Sequence, residues 1–123
     1  MYVAKTLALR ALLGRVRVTL INRSEHFLFT PLLHEVATGG LDGKSVMEPL
    51  RGSLRRRGVR FVQGEAEYIN VKNQHVFVGG KSILYDYLVV ATGAESAFYD
   101  IPGAEDFTVP LKTGQDAARI HAM

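Results

Sequence analysis

Tyr87-Leu88-Val89-Val90-Ala91-Thr92-Gly93 is the stretch on which the fold turns. Tyr87 to Ala91 is an uninterrupted apolar run, which suits a parallel strand buried on both faces. It ends in small and polar residues. A second strand of this kind is expected from Arg15 to Asn22, where Arg-Val-Arg-Val-Thr-Leu-Ile alternates before an asparagine. Open α/β sheets bind ligands just beyond the carboxyl ends of their parallel strands. Ala91 and Gly93 carry almost no side chain, so a planar or phosphorylated ligand could touch the backbone there. Asn22 offers an amide to ribose hydroxyls, at a place where dinucleotide folds commonly have an acid. Each also fits a plain structural role, Asn22 as a turn residue and Ala91-Thr92-Gly93 as a tight packing corner.

Outward from these two strands, Tyr2 to Leu13 reads as a helix, with Gly14 where a C-terminal stop belongs. Ser24 to Gly40 has no clean period: an apolar loop around Phe27, Phe29 and Pro31, then one or two helical turns from Leu32 to Thr38. Ser45 to Arg57 resumes helical character, with Pro49 as a kink or a break. The second half is rich in strands. Val59–Val62, Glu65–Val71, Gln74–Val78 and Ser82–Tyr85 are short β segments, with Lys72-Asn73 and Gly79-Gly80 as hairpin turns. A terminal helix is expected from Thr113 to Ala122. The fold class is therefore α/β.

Composition narrows the function classes. The chain has 123 residues, enough for one core and too little for two. Its 47% apolar and 22% charged residues are those of a globular domain. No run approaches the ~20 apolar residues of a membrane span, and Lys5 and Arg10 break any secretory pattern. Cysteine is absent, which excludes thiolate metal sites and cysteine redox pairs within this chain. Residues 1–60 carry eleven Lys/Arg against four Asp/Glu, a net +7, and residues 61–123 carry four against eight, a net −4. Arg51, Arg55, Arg56 and Arg57 read as the solvated C-terminal turns of a helix, where cations suit the dipole. No aromatic residues interleave with them, so nucleic acid is not an expected partner.

Several motifs fail on context. Thr38 to Ser45 and Gly80-Lys81-Ser82 superficially look like phosphate loops, but neither follows a buried strand and opens a helix. His26, His34, His75 and His121 share no helix face with one another or with a suitable carboxylate, so no metal site is expected. Neither Gly-x-Ser-x-Gly nor Gly-x-Gly-x-x-Gly occurs.

The run Val18-Thr19-Leu20-Ile21-Asn22-Arg23-Ser24-Glu25-His26-Phe27-Leu28-Phe29-Thr30-Pro31-Leu32-Leu33 resembles the second strand and flavin loop of the type II NADH:quinone oxidoreductases. The resemblance continues in order through Lys44 to Leu50, Gly64-Glu65-Ala66, Tyr85 to Ala94 and Ile101-Pro102-Gly103-Ala104. It implies an incomplete Rossmann-like FAD-binding sheet with a small β-meander at about residues 64–85. Residues 1–123 would then be a partial FAD/NAD(P)-binding domain. FAD is the implied cofactor, and NADH and quinone the partners of the parent family at a membrane surface. The implied location is cytoplasmic, or peripheral on the cytoplasmic face of the membrane for the parent.

By the same resemblance the adenosine ribose contact falls on Asn22, with Arg23 beside it. The family more often has an acid at that position. Thr30, Pro31, Leu32 and Leu33 match the loop against the flavin ring, facing the quinone side. Ala66 matches the position whose backbone reads the adenine edge. Ala91, Thr92 and Gly93 match the turn near the pyrophosphate and ribityl chain. None is a general acid or base, because in this family the flavin carries the chemistry.

The resemblance further implies that the first strand, the glycine-rich loop, the NADH-binding domain and the membrane anchor lie outside these residues. The absent strand would sit between Val16–Asn22 and Tyr87–Ala91, leaving two apolar edges unpaired and prone to self-association. A sulfide:quinone or disulfide oxidoreductase is the sibling reading, and zero cysteines weigh against it. A rival of another class is a non-catalytic remnant or complementing fragment, which flavin absorbance would separate from a competent FAD site.

Overall fold

The computed structural model describes residues 2–123, apart from the side chains of Tyr2 and Leu9. It divides into two compact units, Met1–Phe27 with Pro49–Val90, and Leu28–Glu48 with Ala91–Met123.

The first unit opens with helix α1 (Tyr2–Leu12), which stops where Gly14 takes a positive φ of 68°. There Gly14 N–H donates to Ala11 O and Arg15 N–H to Arg10 O, a paired closure that needs a residue at ease in the left-handed region. Strand β1 (Val18–Asn22) follows and pairs in parallel with β4 (Val59–Gln63), in the register Val18↔Val59 to Asn22↔Gln63. Helix α3 (Leu50–Arg55) leads into β4. Ala4 and Ala8 of α1, Leu50 and Leu54 of α3, and Val59 form its buried core, flanked by Val18, Leu20, Phe27 and Phe61. Burying a leucine as fully as Leu54 stabilises by about 1.5–3 kcal/mol. Across the rim, the Arg51 guanidinium lies 5.6 Å from the Phe61 ring centroid, a cation–π approach.

The same unit carries the meander: β5 (Ala66–Asn70), β6 (His75–Val78) and β7 (Lys81–Leu84), antiparallel in sequence order. The meander and both its hairpin turns agree with the sequence expectation. A register shift between Ala66 and Tyr68 leaves Glu67 outside the ladder, and its Oε1 accepts from Gly79 N–H at 2.8 Å.

In the second unit Thr30–Leu32 makes one 3-10 turn that runs into α2 (Leu33–Ala37). Helices α4 (Ala104–Phe107) and α5 (Gly114–His121) lie near the end of the chain. Leu33, Val36 and Ala37 pack against Val46 and Ala117, with Leu28, Leu41 and Ile120 around them. Thr113 caps α5 reciprocally: Asp116 N–H donates to Thr113 Oγ1 at 3.1 Å, and Thr113 N–H to Asp116 Oδ2 at 2.7 Å. Lys112 N–H donates to the same carboxylate oxygen, and these backbone donors hold the Asp116 carboxyl below its ordinary pKa.

Four expectations are corrected. Tyr87–Ala91 forms no strand and joins no sheet among the described residues, and Tyr87, Val89 and Val90 are exposed. An apolar run specifies burial, but a strand exists only where a neighbour completes its hydrogen-bond ladder, and none runs beside it here. Ser45–Pro49 forms no α-helix: a 3-10 turn (Gly43–Val46) gives way to β3 (Met47–Pro49), which pairs with β2 (His26–Leu28). Pro49 caps α3 rather than kinking a longer helix, because proline is tolerated only at a helix start. Two small buried clusters stand where one core was expected.

Candidate functional site

The parallel register brings the carboxyl ends of β1 and β4 level, and the chain beyond them forms the candidate site. Asn22 and Gln63 are paired, and Gly64 N–H continues the ladder by donating to Asn22 O at 3.0 Å. The Asn22 side chain is half-buried, and its amide nitrogen donates to Ser24 O at 2.9 Å. That leaves its carbonyl oxygen as an acceptor. The next residue along, Arg23, places its guanidinium 3.7 Å from the Glu65 carboxylate. Both side chains are about two-thirds exposed (67% and 68%), so water screens the pair and holds it only weakly. Ala66, exposed at the start of β5, follows directly.

Gly64 is the hinge of this edge. A Cβ there would come within 2.5 Å of Val78 Cγ1, so only glycine lets β4 turn sharply into β5. The turn sets Glu65 and Ala66 beside Asn22 and Arg23. Three of the expected residues, Asn22, Arg23 and Ala66, thus lie at one edge of one unit. The sequence alone does not single out Gly64 or Glu65 for this edge. The available signal was the glycine closing β4.

The remaining expected residues belong to the second unit. Thr30, Pro31 and Leu32 are exposed on the 3-10 turn, whereas Leu33 is only 1% exposed and forms part of the core. Its side chain therefore anchors the turn, leaving the three residues before it to face outward. Ala91, Thr92 and Gly93 form an exposed, irregular segment, with Gly93 at a φ of 79°. No cluster of three or more His, Asp or Glu that could hold a metal occurs among the described residues. No helix among them is long and apolar enough to cross a membrane.

A family profile described as pyridine nucleotide-disulphide oxidoreductase matches residues 1–122. The chain belongs to this family. Members are flavoprotein oxidoreductases that bind FAD and use NADH. Among curated relatives, the chain is 36% identical over 118 residues to the external alternative NAD(P)H-ubiquinone oxidoreductase B3 of Arabidopsis thaliana mitochondria. That match covers 85% of this chain and 20% of the relative. It is 35% identical to the mitochondrial external NADH-ubiquinone oxidoreductase 2 of Saccharomyces cerevisiae, over 84% of this chain and 21% of the relative. The chain thus spans about a fifth of the length of these relatives.

Among solved structures, the sulfide:quinone oxidoreductase of Aquifex aeolicus matches with a TM-score of 0.87 and 30% identity. The match covers 98% of this chain and 28% of that one. The NDH2 of Plasmodium falciparum in complex with NADH gives a TM-score of 0.75 and 27% identity, over 88% and 24%. The Rossmann-like α/β expectation and the type II resemblance both agree with these findings.

Proposed function

We propose that these residues form part of the FAD/NAD(P)-binding domain of an oxidoreductase that passes electrons from NADH through FAD to a quinone at a membrane face. FAD, when bound, would supply the redox chemistry between NADH and quinone. The residues of this chain bind and orient. Asn22 offers its free carbonyl oxygen to the hydroxyls of the adenosine ribose. Arg23, whose guanidinium lies 3.7 Å from the exposed Glu65 carboxylate, brings a positive charge to this edge that suits a phosphate. The Gly64 turn lets an adenine approach the backbone at Glu65 and Ala66 without meeting a side chain at residue 64. In the second unit, Thr30, Pro31 and Leu32 offer an uncharged surface to a flavin ring, anchored by Leu33. Ala91, Thr92 and Gly93 leave their backbone open to the pyrophosphate and ribityl chain.

The observation that carries the reading is the grouping of Asn22, Arg23, Gly64 and Ala66 at the carboxyl ends of a parallel strand pair, where α/β folds receive nucleotides. Calorimetric titration with FAD and with ADP, on the chain and on Asn22→Leu, tests it. Both ligands should bind more weakly than micromolar, since no glycine-rich loop before a helix is present among the described residues. Asn22→Leu should weaken both further. Equal affinity in parent and variant, or no binding of either ligand, would remove the site. A change in flavin absorbance on titrating the chain with excess FAD also separates this reading from a polypeptide with no cofactor site.

A further inference from the structure

We propose that the opposite edge of the β1/β4 pair, where the strands begin, is a docking surface for anionic lipid headgroups of a bilayer. Two loops meet there, Gly14–Arg17 before β1 and Arg56–Gly58 before β4. The register Val18↔Val59 sets them level. The second loop also approaches the end of α1, since a Cβ on Gly58 would lie 3.2 Å from the Leu12 backbone nitrogen. The last turn of α1 and the end of α3 therefore present one continuous surface within the first unit.

Its charge is of one sign. Arg10, Arg15, Arg17, Arg55 and Arg56 are all exposed, and none is in an ion pair among the described residues. Arg57 adds its charge while bonding back to Ser53 O and Oγ at 3.2 and 2.8 Å. Residues 1–24 and 49–63, the segments that build this part of the unit, contain no Asp or Glu.

Apolar side chains stand between the arginines. Leu12 and Leu13 are 64% and 61% exposed and Val16 is 40% exposed. Arginines over exposed aliphatic side chains suit the interface of an anionic bilayer. The cations meet headgroup phosphates, and the leucines enter the boundary with the acyl chains. Nucleic acid would use the charge and waste the leucines, and the patch has no aromatic residue on which bases could stack. This edge lies at the other end of the strands from Asn22, so the inference stands whether or not the chain binds FAD.

Co-sedimentation of the 123-residue chain with vesicles tests it without cofactor. Binding is expected to vesicles of 70% phosphatidylcholine and 30% phosphatidylserine (probe compositions chosen on the order of a cytoplasmic leaflet). It should be lost on pure phosphatidylcholine and reduced by salt. Arg15→Gln with Arg17→Gln should lower partitioning about 25-fold, roughly fivefold per arginine. Because the chain has no cysteine, Leu13→Cys can carry a single environment-sensitive fluorophore. That label should shift to the blue on anionic vesicles, and the same label at Lys72→Cys, on the exposed hairpin turn, should not. No vesicle binding, or equal shifts at both labels, overturns the proposal. So does salt-sensitive binding to a single-stranded RNA that anionic vesicles fail to displace.

Discussion

Replacing Gly64 by alanine tests the turn that builds the proposed nucleotide edge. The new Cβ would lie 2.5 Å from Val78 Cγ1, about 1 Å inside the usual 3.5–4.0 Å separation of carbon atoms. Val78 cannot easily give way. It is buried at the end of β6 and paired to Ala66 on one side and Lys81 on the other. Overpacking of this kind costs about 1–3 kcal/mol. Gly64 also has a φ of +156°, a conformation that adds about 1–3 kcal/mol for a residue with a side chain. The combined loss is a large part of the roughly 5–15 kcal/mol that holds a domain together. Thermal unfolding followed by circular dichroism should show a midpoint lower by roughly 6–20 °C. Val78→Ala in the same background separates the two contributions. It removes Cγ1 and leaves Val78 Cβ 4.0 Å from the new methyl group, an ordinary contact. The double variant should be less destabilised than the sum of the single ones by about 1–3 kcal/mol. Strict additivity, or a Gly64→Ala midpoint within about 1 °C of the parent, would refute the reasoning.

Four further outcomes are expected. Thr113→Ala should cost about 0.5–2 kcal/mol through loss of the α5 cap, read as a lower denaturant midpoint. Asp116 has a folded pKa below its ordinary 3.8, so its contribution is fully present above that value and is lost as pH falls through the lowered folded one. Asp116→Asn should therefore flatten the acid limb of the stability–pH curve, and an unchanged limb would count against the cap. A polypeptide of these 123 residues supplied with FAD should show no NADH:quinone turnover in a steady-state assay, because close approach of nicotinamide and flavin needs a second binding surface. Exposed Tyr87, Val89 and Val90 should drive concentration-dependent association in the ultracentrifuge, reduced by Val89→Lys, and a monomer at all concentrations would contradict this.

The sequence revealed the elements whose signals are local. β1 and β4 carry β-branched runs, the meander has its turn residues in place, and Gly14 stops α1 where expected. Asn22 was legible as a site candidate from its place at a strand end, and Ala66 only through the resemblance. What escaped depends on partners. Tyr87–Ala91 has the composition of an inner strand, and composition says nothing of whether a neighbour is there. β2 and β3 have three residues each, too few to show an alternation. Ser45 to Pro49 has acceptable helix propensity, but pairing between β3 and β2 overrides it. Leu33 looked like its loop neighbours in sequence, and only packing shows that it faces inward.

The two sheets of the first unit differ in how much chain must be gathered to make them. β5 and β6 are joined by the short turn at Val71–Gln74, whereas β1 and β4 close everything from Arg23 to Gly58. Loop-closure entropy makes the second event costlier by on the order of 2 kcal/mol, before any packing rewards it. The hairpins belong to the microsecond class of folding events, while parallel pairing over such a span is slow. On the ribosome, β1 emerges long before its partner and waits with its apolar residues uncovered. The proposed nucleotide edge, which exists only once Asn22 and Gln63 are level, is therefore among the last parts of the unit to form.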